Sequence, residues 1–440
     1  LAHQAFHDGL TGLANRRLFN DRLEELFAGD RPRPAALLIV DLDDFKVFND
    51  SYGHVVGDEL LVELAARLAA HAYGEDVAAR LGGDEFALVL SGVSDSTVAE
   101  ARAREILAAI AAPVITRDRE LVMSVSVGVA LTGTWASSQE QLLRNADLAL
   151  YRAKQEGKNR VAAYHPSMDD EAEARRRLIA ALSLAVPNSE LNVVFQPIHD
   201  LVSGELLGAE ALMRWIHPTN GPIAPSEFLA VAEQTGLIAP MGVWMLQRSL
   251  GSLARWIAYL GPDRNFSLNV NLSARQLLDV GLVDVVRSAL VRSGVEPSRL
   301  VLEITESALI EDIDRTREVV FGLAGLGVKV ALDDFGTGYS SFTHVRTFPL
   351  HQIKIDASFV ASIDTNPTNA ALVGSIVHLA NALGLTAVAE GIENPRQLAE
   401  LRRCGCRVGQ GYLMSVPLSE AEFDRRIRGE IVAAANWLPR

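Results

Sequence analysis

From residue 193 to residue 410 the chain alternates short apolar runs with helical patterns, and this rhythm narrows the fold more than any other feature of the sequence. Strand-like runs fall near 193–200, 206–212, 266–272, 299–304, 328–333, 351–356, 385–390 and 406–410. A Ser203-Gly204 turn joins the first two. It is too short for a crossover, so that pair is antiparallel. Helices separate the later runs, which makes them parallel. Eight strands in this pattern predict a modified (β/α)8 barrel with one antiparallel strand.

Polar residues mark the strand ends. Glu210, Asn271, Glu303, Asp333 with Asp334, Lys354, Glu390 and Gln410 lie at or near the ends of seven different runs. Barrels of this class gather their catalytic groups on the C-terminal face of the strands. Asp333 and Asp334 close an apolar strand and open a Gly-rich turn. Two adjacent anions there repel each other and lose hydration, so one takes up a proton or both need a cation. Many unpaired carboxylates on one rim would be severely destabilising. Oxygen donors with an Asn amide and no cysteine favour Mg2+ or Mn2+ over zinc. Two such ions roughly 3.5–4 Å apart suit hydrolysis of a phosphodiester.

Composition sets the limits. A length of 440 residues predicts two or three domains, and 49% hydrophobic with 22% charged residues describes a globular chain with ample core. The formal net charge of -14 argues against a nucleic-acid polymer as partner. Cys404 and Cys406 are the two cysteines, which fits a reducing compartment and rules out a cysteine-based zinc site. No apolar run is long enough to span a membrane or to form a signal peptide, so a cytoplasmic location is expected. The chain starts at Leu1 rather than methionine. It is therefore expected to be a fragment whose upstream region, sensory or membrane-bound, is missing.

The first part of the chain has another order. An amphipathic opening to Phe27 is followed by an apolar strand from Ala35 that ends in Asp41-Leu-Asp-Asp-Phe-Lys46. A helix over 55–71 comes next. Two short runs, 77–81 and 86–90, flank Gly82-Gly83, a good hairpin signal. Helix 95–111 and strand 120–131 complete a β-α-β-β-α-β order, that of a ferredoxin-like palm, and helix 138–156 and strand 160–164 finish the unit. Residues 166–180, with Arg175-Arg176-Arg177, read as an interdomain helix between domains at 1–165 and 181–440.

Gly82-Gly83-Asp84-Glu85-Phe86 resembles the signature of GGDEF-type diguanylate cyclases, supported by Asp8-Gly-Leu-Thr-Gly-Leu, Asn49-Asp50, Gly57-Asp58-Glu59 and Lys154-Gln-Glu-Gly-Lys158. The resemblance implies condensation of two GTP into cyclic di-GMP. Asp41, Asp84, Glu85 and the Leu42 carbonyl would hold two ions, with Glu85 beside the attacking hydroxyl. Asn49 and Asp58 would read guanine; Lys46, Lys154 and Lys158 would neutralise phosphate, and Arg80 would support the site. Each domain supplies half a site, so a homodimer is implied. The family's feedback site has Arg-x-x-Asp before the signature; here Tyr73 stands at the arginine.

Glu210-Ala-Leu resembles the signature of EAL-type cyclic di-GMP phosphodiesterases, with Gln196-Pro-Ile, Arg214-Trp, Asn269-Val-Asn271, Lys354-Ile-Asp356 and Gln410-Gly-Tyr in support. Glu210, Asn271, Glu303 and Asp333 would then hold one ion, and Asp333, Asp334 and Glu390 the other. Lys354 and Gln410 would position the attacking water, with Lys354 and Glu390 moving protons. Gln196, Arg214 and Asp356 would contact substrate, and Glu306 would anchor the loop after its strand. Three readings follow: an enzyme that makes and breaks cyclic di-GMP, a phosphodiesterase with a GTP-binding regulatory module, and a non-catalytic receptor.

Overall fold

The computed structural model describes residues 5–116, 119–133, 135–310, 312–336 and 346–429, and the chain divides into two units, residues 1–177 and 178–440. The strands of the first are β1 (Ala35–Leu42), β2 (Val77–Gly82), β3 (Glu85–Ser91), β4 (Val114–Thr116), β5 (Arg119–Leu121), β6 (Val125–Leu131) and β7 (Val161–Ala163). Five of them form a sheet in the order β2-β3-β1-β6-β7. β1 is buried along its whole length. Ala36, Leu38 and Val40 face one core, with Leu60, Leu64, Ala99 and Ile106 of helices 54–70 and 96–110. Ala35, Leu37 and Ile39 face the other, with Phe19, Leu23, Leu142 and Ala146 of helices 16–27 and 139–155. Cover on both faces is why this strand reads as an unbroken apolar run. At Gly128 on β6 a Cβ would lie 2.2 Å from the Ala146 carbonyl, so only glycine lets the 139–155 helix come this close.

This is the expected ferredoxin-like palm, extended by β7. Two local expectations change. The strand expected over 120–131 is split: β5 pairs with β4 in a separate hairpin, and only β6 joins the main sheet. The break falls where Ser124 turns to Asp43, donating its hydroxyl at 2.6 Å and accepting the Asp43 N–H at 2.9 Å. A short helix, Phe45–Tyr52, also follows β1, entered through Asp44 at a left-handed φ of 56°. The segment expected as an interdomain helix is helical over Ser167–Ala185.

In the second unit the strands are β8 (Leu191–Asp200), β9 (Leu206–His217), β10 (Gly221–Ile223), β11 (Ser267–Leu272), β12 (Leu300–Thr305), β13 (Lys329–Phe335), β14 (Gln352–Ile355), β15 (Thr386–Ala389), β16 (Val408–Gly409) and β17 (Leu418–Ser419). β9 and β11 to β16 run parallel in that order. β8 lies antiparallel between β16 and β9 and closes the ring. The result is a modified (β/α)8 barrel with one antiparallel strand.

The last helix, Glu420–Ile427, is part of the barrel core. Phe423 is fully buried, with ring centroids 4.6 Å from Trp256, 5.8 Å from Phe195 and 6.4 Å from Phe266. The Trp256 indole donates to Asp424 at 2.6 Å, and Arg248 pairs with Glu420 at 2.8 Å. Phe423→Ala is expected to lower unfolding free energy by about 3–5 kcal/mol in a denaturant titration. A loss under about 1 kcal/mol, the range of surface changes, would mean that this helix lies outside the cooperative core.

Candidate active sites

On the barrel rim, strand ends deliver their polar residues to one place. Gln196 from β8, Glu210, Asn271, Asp333, Lys354, Glu390 and Gln410 line a cavity of about 370 Å³, and Glu303 lies fully buried beneath it. The Lys354 ammonium stands among four carboxylates: Glu390 at 2.7 Å, Glu303 at 2.8 Å, Asp333 at 3.2 Å and Glu210 at 3.4 Å. Gln410 Nε2 donates to Glu210 at 2.5 Å and to Glu390 at 3.0 Å. Asn271 Nδ2 donates to the other Glu210 oxygen at 2.8 Å.

Asp333 and Asp334 pose a geometric problem, because successive residues on a strand point to opposite faces. Two features resolve it. The β13–β14 register shifts by one residue between Leu332 and Phe335, and Asp334 has a left-handed φ of 53°. Asp is among the few residues that tolerate this backbone. The bulge re-aims the second carboxylate, and oxygens of Asp333, Asp334 and Glu390 lie within 4.8 Å of one another. The Gly-rich turn that follows, residues 337–345, lies outside the described residues.

The electrostatics follow from crowding. Burial and then the Glu210 charge push the Glu303 carboxyl well above the usual range. Burial, opposed by Lys354 but reinforced by Glu210 and Asp333, raises Glu390 to about 7. Asp334 is raised by burial and by Asp333. Glu210 is buried too, yet Lys354 and hydrogen bonds from Gln410 and Asn271 hold it below the ordinary value. Four carboxylates thus share one buried ammonium, with Asp334 close beside two of them, leaving a surplus of negative charge. Hard oxygen donors this close fit divalent cations.

Other expected residues sit at varied distances from this centre. Arg214 is half-buried, donates to the Met213 carbonyl at 2.8 Å and lines an adjoining, mostly apolar cavity of about 440 Å³ that also reaches Asn271. Glu306 is buried and opens helix Glu306–Ile310. Asp356 caps helix Ala357–Ala361, accepting the Ser358 N–H at 3.0 Å, and is absent from the cavity lining.

In the first unit, Asp41 at the end of β1 lies opposite Glu85 on β3, and the Leu42 N–H reaches the Asp84 carbonyl at 3.4 Å. The buried Asp41 carboxyl is raised by desolvation, eased by Lys154 at 2.6 Å and raised again by Asp84 and Glu85. Lys158 binds both Asp44 oxygens, at 2.6 and 2.7 Å. Arg80 supports the turn itself, donating to the Gly83 carbonyl at 2.7 Å and pairing with Asp8 at 3.1 Å. Asn49 has a buried Oδ1 with no hydrogen-bond partner among the described residues, and it lies against Gly57, where a Cβ would be 1.9 Å away. Lys46 and Asp58 are exposed nearby in sequence. At the altered feedback position, Arg102 lies 5.0 Å from the Tyr73 ring and 3.9 Å from Asp76.

Residues 5–160 match the model of the diguanylate cyclase GGDEF domain, and residues 179–417 match that of the EAL domain. The chain belongs to the EAL family and carries a GGDEF domain before it. The bifunctional diguanylate cyclase/cyclic di-GMP phosphodiesterase MucR of Pseudomonas aeruginosa is 39% identical over 95% of this chain. Cyclic di-GMP phosphodiesterase NbdA of the same organism is 37% identical over 97%. The chain spans 61% of the length of MucR and 54% of NbdA. Among solved structures, the PaMucR phosphodiesterase in complex with c-di-GMP superposes with a TM-score of 0.54 at 39% identity, covering 56% of this chain and 99% of that one. Vibrio cholerae LapD S helix-GGDEF-EAL, bound to c-di-GMP, gives 0.60 over 93% of this chain and 96% of that one; at 18% identity it shows shared fold alone.

EAL domains use divalent metal ions, and the two families are cyclic di-GMP phosphodiesterases and diguanylate cyclases. Several residues around these EAL and GGDEF sites have contacts for which the motifs assign no role. Asp43 accepts from Ser124 at 2.6 Å, Ser126 at 2.7 Å and the Asn159 N–H at 3.1 Å, tying β1 to the loop that carries Lys158. Arg16 reaches Glu85 at 3.8 Å. Tyr412 and Glu393 line the EAL cavity. Asn269 lies one layer below Asn271 and bonds Glu303. Only the last had a legible signal, a polar residue two positions before Asn271 and so on the same strand face.

Proposed function

We propose that the chain turns over cyclic di-GMP in two domains, 1–165 and 181–440: the EAL domain hydrolyses it to pGpG, and the GGDEF domain condenses two GTP into it. The observation that carries the hydrolytic reading is the convergence of Glu210, Glu303, Asp333, Asp334 and Glu390 on one cavity with a single lysine. The MucR and NbdA names support the same substrate.

Bound Mg2+ or Mn2+ would supply positive charge at the phosphodiester and activate water. Glu210, Asn271, Glu303 and Asp333 would hold one ion, and Asp333, Asp334 and Glu390 the other. Gln410 gives its amide N–H groups to two carboxylates while its buried Oε1 has no partner among the described residues. That oxygen is placed to accept a hydrogen bond from a proton of the attacking water and so to orient it. Glu390, titrating near neutrality, can take that proton, and Lys354 can give one to the leaving oxygen. Gln196 and Arg214 would hold the substrate on either side. A receptor would have no use for Lys354 and Gln410 in this arrangement.

For the GGDEF domain, Asp41, the Leu42 carbonyl, Asp84 and Glu85 would hold the ions, Lys46, Lys154 and Lys158 the phosphates, and Asn49 and Asp58 the guanine. Synthesis would need two copies face to face. Lys154 and Lys158 already bind Asp41 and Asp44 within this domain, which favours a second reading in which it binds GTP without condensing it.

The test is a product assay with a stability measurement. Purified protein with Mg2+ is expected to yield pGpG from cyclic di-GMP, and with EDTA none. Intact cyclic di-GMP in the presence of Mg2+ would overturn the reading. Between 4.5 and about 7 the folded metal-free protein holds a Glu390 proton that the unfolded chain has lost. Its burial therefore opposes folding more as pH rises through that window, and a bound cation removes the opposition. The rise in Tm caused by Mg2+ is expected to grow from pH 6 to pH 8; equal rises at both would exclude Glu390 as a ligand.

A further inference from the structure

We infer that Asn269 is a positioning residue that fixes the Glu303 carboxylate for cation binding; the inference rests on the reading that this rim holds divalent cations. Asn269 lies on β11, beside Glu210 in the sheet register and two residues before Asn271. It is 1% exposed, in a layer of the barrel interior that branched apolar side chains ordinarily fill. A polar group there costs stability unless its hydrogen bonds are made. Asn269 makes only half of them. Its Nδ2 donates to Glu303 Oε1 at 2.7 Å and reaches Gln352 Oε1 at 3.4 Å, while no donor among the described residues meets its Oδ1. Two acceptors facing the same atom fix the orientation of the amide.

What this arrangement does is visible in Glu303. That side chain is fully buried, with Oε1 on Asn269 and Oε2 on Lys354 at 2.8 Å. Lys354 divides its protons among four carboxylates and sits on a long, flexible stem. Asn269 is short and anchored in mid-strand. With Oε1 held from below, the carboxylate plane is fixed and Oε2 faces the rim where Glu210, Asp333 and Glu390 converge. Removing the amide frees the carboxylate to rotate, and the lost orientation falls on whatever cation it binds. Hydrogen-bond partners of metal ligands are worth about 10–100-fold in affinity.

The experiment measures Mn2+ binding by titration calorimetry to the full chain and to Asn269→Leu, Asn269→Ala and Gln352→Leu, each checked for folding by its melting transition in EDTA. Leucine keeps the branched shape of asparagine without the donor, though it is bulkier, and alanine serves if leucine does not fold. Gln352→Leu disturbs the same layer without touching Glu303. Asn269→Leu is expected to raise the Mn2+ Kd about 10–100-fold, with Gln352→Leu within about threefold of wild type. Affinity at Asn269→Leu equal to wild type would overturn the inference, as would an equal loss in both variants, which would mean disturbed packing only. If the wild type itself binds no Mn2+, the cation reading of the rim fails first.

Discussion

Lys354→Met is expected to destabilise the metal-free protein by about 3–5 kcal/mol, the usual consequence of removing one partner from a buried ion pair, and Mg2+ is expected to return much of that loss. Lys354 is 1% exposed and is the cation shared by Glu210, Glu303, Asp333 and Glu390. Its own ammonium is held well above the ordinary lysine range by those four carboxylates, against a burial effect that would lower it. Methionine fills similar space but leaves the acids facing one another. Two of them, Glu303 and Glu390, are already raised and can take up protons, so the loss should be smaller at pH 6 than at pH 8. The same variant is expected to lose about 10²–10⁴-fold in hydrolysis, the range for a general acid or base. Denaturant melts in EDTA and in Mg2+ separate the two roles. A variant as stable as wild type in EDTA would show that the acids are satisfied without the lysine.

Most of the barrel was readable because buried parallel strands appear as short apolar runs, and because each ends in a residue that an apolar core would not keep. That logic placed Glu210, Asn271, Glu303, Lys354, Glu390 and Gln410 on the same rim, where the structure brings them together. What it could not supply is orientation. Strand alternation alone would send Asp333 and Asp334 apart; the bulge and the left-handed Asp334 backbone depend on the β14 partner, which no local pattern records. Lys354 was legible as a rim residue but not as the hub of four carboxylates, since that depends on three-dimensional crowding. Asp356 matched a motif yet caps a helix, a role its position one residue before a helical segment would also have allowed.

The palm illustrates the same limit. Its sheet order follows from the β-α-β-β-α-β pattern, but helix Phe45–Tyr52 was hidden because its entry uses a left-handed Asp44 and not a capping side chain. The missed clamp at Asp43 has the same origin: three donors reach it from β6, its preceding turn and the loop after the 139–155 helix, all distant in sequence.

Glu210→Ala is expected to reduce hydrolysis by about 10³-fold, the rate equivalent of roughly 4 kcal/mol, while Glu85→Ala leaves it within about twofold, because Glu85 belongs to the other unit and residues with no shared partner contribute independently. Glu210 receives Asn271 on one oxygen and Gln410 with Lys354 on the other, so its loss removes an acidic donor from the rim and unfastens three neighbours at once. Glu85 stands at the exposed end of β3 in the other unit, reached by Arg16 at 3.8 Å. With hydrolysis blocked, any cyclic di-GMP made from GTP should accumulate, and it should vanish again when both residues are replaced. Chromatography of the nucleotides from wild type, each single variant and the double variant reads every outcome. Cyclic di-GMP from Glu210→Ala supports synthesis by paired GGDEF domains. Its absence, with GTP still bound, turns the first domain into a nucleotide sensor. Undiminished hydrolysis by Glu210→Ala would remove the barrel rim as the place of chemistry, because an alanine there cannot hold either a cation or the Gln410 amide.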